Sequence, residues 1–413
     1  MTPTLIYCAA RDLRMAEIAI RYGFLYGAQL PNKIYFHPEF VDQNWKAPVR
    51  DKYMQALQTY RPALATVLDL ERPDQLREVL SWAQEAAQYV SEAVIIIPKY
   101  FGAIADLPRE VNGKQVRLGY SVPTEFAGTQ VPVWEFFGWP VHLLGGSPNK
   151  QLELSAMLNV QSADGNYAAK MARRYNQFYA NGTARYAKNR YWPQLQEASL
   201  GFLELGNYHS FVLSCINIRA AWRGNTATIR YATEVDIPAV KKIANQYRNE
   251  LGFVMIPALK EAIARLELYV AVMGQQVVGF VNFRTRRDGW HTVYEIAVHR
   301  DWKGQGIGSA LLNAILDPVR LKCTVDNPAN NFYEKEGFTL VRTEDGRTRR
   351  LNVWERNFVP MLRRLEDSKP RQLRDQQAPR RRKSAVPKDV QVVPQRQTQP
   401  VLFEMPDSTS EAE

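Results

Sequence analysis

Residues 291–316 read HTVYEIAVHRDWKGQGIGSALLNAIL: an apolar strand runs directly into a glycine-rich turn and then into a helix. In such a turn Lys303, Gly306 and Gly308 let backbone N–H groups face outward at a helix N-terminus, which suits a pyrophosphate. Glycine permits the close backbone approach this requires. Working outward, residues 226–358 read β-α-α-β-β-β-α-β-α-β, six strands in all. TIRYAT (228–233) precedes Asp236-Ile237-Pro238, a helix start, and the helix AVKKIANQYRNEL (239–251). ELYVAVMG (267–274) and QVVGFVNFRTR (276–286) form a hairpin around Gly274-Gln275-Gln276.

A second block, TVDNPANNFYEKEGFTLV (324–341), follows the turn. Together the two blocks resemble the GNAT superfamily of acyl-CoA-dependent N-acyltransferases. The family turn, Arg/Gln-x-x-Gly-x-Gly, stands here as Lys303-Gly304-Gln305-Gly306-Ile307-Gly308, with Lys in first place. The family helix ending in Phe-Tyr-x-x-x-Gly-Phe is matched by Phe332 to Phe338. The resemblance implies acetyl-CoA, or another acyl-CoA, as cofactor. It further implies that the backbones of Ile296, Ala297 and Val298 meet the pantetheine arm, and that Asn327 lies near the cofactor. Tyr333 would protonate the departing CoA thiolate. Glu295 is the candidate to take a proton from the acceptor amine, a structural carboxylate being its alternative role.

The chain divides near Trp222-Arg223-Gly224-Asn225, where a helical stretch ending SFVLSCINIRAAW meets the strand pattern TATIRYAT. Before that point eight short apolar runs alternate with helical periodicity: TLIYC (4–8), FLYGAQL (24–30), EFVDQ (39–43), ALATVLDL (63–70), AVIIIPK (93–99), VRLGYSV (116–122), PVHLLGG (140–146) and NVQSADG (159–165). Most carry β-branched or Leu residues on both parities, as parallel strands buried on both faces do. Eight such runs predict an α/β fold with a (β/α)8 TIM-type barrel. Polar residues gather at their C-terminal ends, among them Asp12, Gln29, Asp42, Asp69, Lys99, Ser121, His142 and Asp164. In a barrel those ends share one mouth, where active sites sit. Any one of them also serves as a cap or loop group, and Asp12 is placed to cap the next helix.

In that order the strand ends resemble tRNA-guanine transglycosylases and their relatives that insert 7-deazaguanines into DNA. Such a reaction needs a carboxylate to attack C1′ and a second group to manage the base's proton. By the resemblance Asp164, in VQSADGN, is the nucleophile, and Asp42, in FVDQNWK, handles protons. Asp69, in VLDLE, would read the base; Gly119, in LGYSVPT, would meet it through its backbone; and Gly145 and Gly146 form the family's glycine-rich turn. Two departures stand out. Lys99 occupies the place of a base-reading Gln, and the Cys-x-Cys-x-x-Cys zinc site is absent, so no metal is expected. Taken together, the resemblances imply a base-modifying enzyme for DNA or tRNA carrying an acyltransferase. An acyltransferase for small-molecule or protein amines, with the barrel as recognition module, is the alternative. A nucleic-acid-binding protein that only delivers the acyltransferase is a third reading.

Bulk composition bounds these readings. Hydrophobic residues at 46% and charged residues at 23% exclude a wholly disordered or fibrous chain. No apolar run approaches the ~18–20 residues of a membrane span, so no membrane partner is expected. Cys8, Cys215 and Cys323 are too few and too scattered for a disulfide framework, which points to a reducing cytoplasm. The net charge of +11 favours an anionic partner. Its densest part is the stretch 361–400, with eleven Lys/Arg against four Asp/Glu and the run Arg380-Arg381-Arg382-Lys383. Rich in Pro, Gln and Arg, this stretch predicts a disordered tail able to neutralise phosphates. The resulting division is a barrel over 1–222, an α/β acyltransferase domain over 223–360 and a tail over 361–413.

Overall fold

Strands that are apolar on both parities need cover on both faces, and a closed barrel supplies it. The computed structural model describes residues 2–8, 12–44, 46–123, 128–181, 192–195, 207–346 and 348–357. Eight parallel strands close on one another: β1 (Thr4–Cys8), β2 (Leu25–Gln29), β3 (Phe40–Asp42), β4 (Leu64–Leu70), β5 (Ala93–Pro98), β6 (Lys114–Ser121), β7 (Val141–Leu144) and β8 (Val160–Gly165). Each pairs with its neighbours in sequence, and β8 returns to β1, so the barrel has no open edge. A two-residue strand, Glu110–Val111, adds a hairpin to the start of β6.

Helices α1 (Leu13–Arg21), α2 (Arg50–Tyr60), α3 (Leu76–Ala86), α4 (Pro148–Ser155) and α5 (Tyr167–Tyr175) follow β1, β3, β4, β7 and β8. Asp12 caps α1 as expected, its Oδ1 accepting the Met15 N–H at 3.1 Å. A helix behind every strand is not what the structure shows. The described residues behind β2, β5 and β6 form turns and a short 3-10 segment, Val133–Phe136. Residues 30–39 are too few for a helical crossover. Pro108, Pro132, Gly138 and Pro140 interrupt the other two connections.

Alternate residues of each strand face the barrel interior. There Ile6, Cys8, Phe40, Leu64, Ala93, Ile95 and Ile97 form one apolar cluster. Gly119 gives it room: a Cβ at this position would stand 2.6 Å from Ile97 Cγ1 and 2.9 Å from Leu144 Cδ1. Gly119 therefore shapes the packing beneath the mouth.

After α6 (Asn207–Trp222) comes a seven-stranded sheet of β9 (Thr228–Tyr231), β10 (Leu268–Met273), β11 (Gln276–Thr285), β12 (His291–Val298), β13 (Val319–Thr324), β14 (Thr339–Asp345) and β15 (Arg350–Arg356). Its order is β9-β10-β11-β12-β13-β15-β14. The pattern predicts six strands, and the seventh is β15. Its sequence RLNVWER is too charged to read as a strand, yet it inserts between β13 and β14, with Val353 fully buried. Helices α7 (Ile237–Asn245), α8 (Ile256–Ala264), α9 (Ile307–Asn313) and α10 (Ala329–Lys335), with a single helical turn at Arg248–Leu251, complete this part.

The two parts share a seam built on α6. Asn217 Nδ2 donates to the Tyr179 and Ile229 carbonyls, both at 2.9 Å, while its Oδ1 accepts the Ile229 N–H at 2.7 Å. Asn181 Nδ2 reaches the carbonyls of Asn225 at 2.8 Å and Ala227 at 3.1 Å. Asn217 thereby satisfies both backbone groups of Ile229 in edge strand β9, and Asn181 the carbonyls of the segment leading into it, which would otherwise be left unpaired. One apolar cluster runs across the seam, from Phe211 and Cys215 to Ile229, Tyr231 and Tyr269. The described residues belong to a single compact unit; the unit Lys369–Glu413, with the Arg380–Lys383 run, lies outside them. All three cysteines are free and buried. Among the described residues no helix is long and apolar enough to cross a membrane.

Candidate active sites

The mouth of the barrel collects inward side chains from the ends of separate strands. Asp42, at the end of β3, accepts Gln29 Nε2–H on Oδ2 at 3.0 Å and Thr66 Oγ1–H on Oδ1 at 2.8 Å. Thr66 Oγ1 in turn accepts the Gln43 N–H at 3.0 Å. Burial pushes the Asp42 carboxyl up to about 7, the Asp164 charge adds to this, and the two hydrogen bonds oppose it. Asp42 and Asp164 thus feel each other across the mouth. Lys99 Nζ stands 3.3 Å from Asp69 Oδ2 and donates to Ser121 Oγ at 2.6 Å. Burial raises the Asp69 pKa, and the Lys99 charge counters it.

Asp164 Oδ1 lies 3.3 Å from His142 Nε2 and accepts the Gly145 N–H at 3.2 Å. Gly145 and Gly146 adopt φ of 62° and 77°, so the turn behind β7 requires left-handed backbone. Gln151 Nε2 ties that turn to β8, donating to the Gly145 carbonyl at 2.7 Å and the Asp164 carbonyl at 2.8 Å. The Cys8 thiol shares this end of the barrel; burial, then Asp164 and Asp42, push its pKa up. Among the described residues no group of three or more His, Cys, Asp and Glu could hold a metal ion.

In the second part, β12 pairs with β13 only through His291, Thr292 and Val293. Beyond Val293 the two strands part, leaving one edge of Glu295–Val298 without a strand partner. Against β11 the register slips at Asn282/Phe283 and leaves Tyr294 as an extra residue, a β-bulge at the point of parting. The glycine turn follows. Gly304 and Gly306 have φ of 78° and 73°, Gly306 caps α9, and nothing stands within 4 Å of where a Gly304 Cβ would be. Asn225, from the seam, donates Nδ2–H to the Gly306 carbonyl at 3.2 Å.

Glu295 Oε2 accepts Asn282 Nδ2–H at 2.6 Å, and burial raises its pKa against that bond. Tyr333 is buried among Phe332, Phe338 and Trp354. Burial pushes its phenol well above the usual range, with Cys323 adding to the effect. It is therefore a fully protonated donor at neutral pH. Two sequence assignments change here. The His299 N–H donates to the Val278 carbonyl, so in the same register Ala297 is hydrogen-bonded to Phe280 and spends its backbone groups on β11; Ile296 and the Val298 N–H face the open edge, where the Val298 carbonyl accepts the Tyr247 hydroxyl at 2.7 Å. Asn327 Oδ1 accepts the Ala329 N–H at 2.9 Å, so its side chain caps α10.

Thr66, Ser162, Tyr247 and Asn225 escape a reading of the sequence alone. Thr66 sits mid-strand with no motif around it, and only the barrel's alternation turns it inward to Asp42. Tyr247 and Asn225 lie far along the chain from the groups they hold.

A strand parting from its parallel neighbour beside a glycine turn, with a buried phenol on the next helix, defines an N-acyltransferase fold. The second part of the chain is a GNAT acetyltransferase domain: residues 264–340 match the acetyltransferase (GNAT) domain family. Residues 19–222 match a family of unknown function (DUF6610). No curated protein matches the chain. Solved structures similar to it include Ard1 from Thermoplasma volcanium, with 24% identity over 32% of this chain and 98% of that one and a TM-score of 0.29. The ribosomal-protein-S18-alanine N-acetyltransferase from Escherichia coli shows 18% identity over 32% of this chain and 93% of that one, with a TM-score of 0.28. Rv2747 from Mycobacterium tuberculosis, in complex with CoA and NLQ, shows 23% identity over 29% and 75%, with a TM-score of 0.25.

The residues present fit an acyl-CoA. The space over Gly304 is one a Cβ would fill, and Ile296 and the Val298 N–H offer backbone groups on an edge that no strand covers.

Proposed function

We propose that this protein modifies bases in nucleic acid with two sites, a base-exchanging barrel and an acyl-CoA-dependent N-acyltransferase. The observation that carries the reading is the pair of carboxylates at the barrel mouth. Asp42 is pushed up to about 7, so near neutral pH it can both hold and release a proton. Asp164 is held through one oxygen by His142 and Gly145, which leaves the other to attack C1′. Two carboxylates dividing nucleophilic and proton-handling roles is also the logic of retaining glycosidases. Attack of Asp164 on C1′ breaks the bond to guanine, which leaves with the proton of Asp42; the entering 7-deazaguanine then takes C1′ from Asp164 as Asp42 receives its proton back. Lys99, Ser121 and Asp69 present donors and an acceptor to the base edge.

In the acyltransferase, an acyl-CoA supplies an activated thioester. The turn Lys303–Gly308 and the backbone at Ile296 and Val298 would hold it. Glu295, with its raised pKa, takes the proton of an acceptor amine, and Tyr333 carries the proton needed by the departing thiolate. The acceptor is an amine on the base that the barrel handles. The polymer is DNA, reached by extruding the target nucleotide, and the basic run Arg380–Lys383 adds phosphate contacts.

Mass spectrometry of nucleosides from DNA and tRNA, with and without this protein, tests the reading. A modified guanine bearing an acyl mass in DNA is expected. Acylation of a free small amine with no change in any nucleoside would overturn the barrel half and leave an acyltransferase alone.

A further inference from the structure

We infer that Arg117, Ser162 and His142 form a polar column through the barrel that selects the attacking oxygen of Asp164; the inference rests on the base-exchange reading above. The barrel interior is otherwise filled by Ile6, Phe40, Leu64, Ile95 and Ile97. Placing an arginine, a serine and a histidine there is costly unless each is paired. His142 and Ser162 are both 0% exposed. At the lower end of the barrel, Arg117 donates to Gln115 at 3.1 Å, to Glu92 at 3.0 Å and to Ser162 Oγ at 3.3 Å. Ser162 Oγ lies 2.8 Å from His142 Nδ1, and His142 Nε2 lies 3.3 Å from Asp164 Oδ1.

Proton counting fixes the direction of this column. A guanidinium only donates, so Ser162 Oγ accepts from Arg117. Its second lone pair could also accept, but the serine's own buried proton needs an acceptor, and among the described residues His142 Nδ1 is its one remaining partner. A neutral imidazole that accepts at Nδ1 carries its proton on Nε2. That proton faces Asp164 Oδ1. The ring plane is set by stacking on Phe40, with centroids 5.0 Å apart and planes 29° apart, and its two nitrogens are set by Ser162 and Asp164. The Gly145 N–H is the second donor to Oδ1. Among the described residues no donor reaches Oδ2. Oδ1 is thus anchored and Oδ2 is the oxygen left for C1′. Arg117, Ser162 and His142 are positioning residues; none of them touches the reacting atoms.

The test uses the full chain labelled with 15N-histidine, whose five histidines are resolved in long-range proton–nitrogen spectra, His142 being assigned with His142→Gln. In the wild type we expect an Nε2-protonated His142. In Ser162→Ala Nδ1 loses the donor it accepts from, and its 15N resonance moves to that of an unbonded imidazole nitrogen; Ser162→Thr, which keeps the hydroxyl, restores the wild-type spectrum. An Nδ1-protonated His142 in the wild type overturns the proposal, as does a Ser162→Ala spectrum identical to wild type. In base exchange, Ser162→Ala should lower kcat roughly 10- to 100-fold with KM unchanged, again rescued by Ser162→Thr. The spectra need no activity. Absence of exchange in the wild type therefore fails the base-exchange reading, while the histidine spectrum separately decides the column.

Discussion

The barrel mouth and the acyltransferase groove are built by opposite means. The groove uses backbone: the edge at Ile296 and Val298, the left-handed glycines Gly304 and Gly306, and a helix N-terminus, all within residues 295–308. The mouth uses side chains, with Gln29, Asp42, Thr66, Lys99, Ser121, His142 and Asp164 each supplied by a different strand or its end. A backbone site can be written in one contiguous motif, because glycine and strand geometry are local properties. A side-chain site assembled across a closed barrel has no local signature beyond one polar residue per strand.

If the two sites are separate machines, mutations should separate them. The largest effect belongs to Asp164→Asn, which should cut base exchange by roughly 10³-fold or more. Isothermal titration with an acyl-CoA should be unchanged. Loss of both together would break the comparison and make the mouth a structural support for the groove.

Next is Asp42→Asn, read by stability. The folded pKa of Asp42, about 7, lies above its ordinary value of 3.8, so the native state binds the extra proton between those two pH values. Stability therefore falls as pH rises through this window, and the full cost is present above about 7. Replacing the carboxyl by an amide should raise stability in urea titrations by about 3–4 kcal/mol at pH 8 and bring no gain at pH 3.5. An equal effect at both pH values would show that Asp42 is not the strained carboxyl of the mouth.

Tyr333→Phe should slow acyl transfer by about 10²-fold while CoA affinity and base exchange stay intact. Lost CoA affinity in titration calorimetry would remove the acid role and leave Tyr333 as core. The smallest effect is expected of Asn225→Ala, which removes the 3.2 Å bond to the Gly306 carbonyl. At about 1 kcal/mol for a lost hydrogen bond, KM for the acyl-CoA should rise several-fold with kcat unchanged. This variant sharpens the comparison most finely, because Asn225 belongs to the seam: its own carbonyl is held by Asn181 from the barrel side.

Much of the architecture was legible in advance. Apolar runs on both parities marked the eight barrel strands, and the polar residue ending each run marked the mouth. The block around Lys303–Gly308 marked the acyltransferase. The misreadings share one cause. Ala297 and Asn327 match a family pattern, but the backbone groups of Ala297 pair with Phe280 of β11 and the Asn327 side chain accepts the Ala329 N–H. Strand β15 was hidden because RLNVWER shows its buried face only once β13 and β14 flank it.

By itself the sequence determined what depends on neighbours along the chain: strand and helix periodicity, the Asp12 cap, the glycine turn, and which residue types stand at the strand ends. Only the tertiary structure decided what depends on neighbours in space. Closing the barrel half-buries Asp42 at a mouth it shares with Asp164 and raises its pKa. It stacks Arg117, Ser162 and His142 into a column that leaves one oxygen of Asp164 unheld. Packing α6 against β9 merges two parts that read as separate domains into one core. Desolvation and hydrogen-bond direction are set by the full shell of atoms around a group, and that shell comes from residues far apart in the chain.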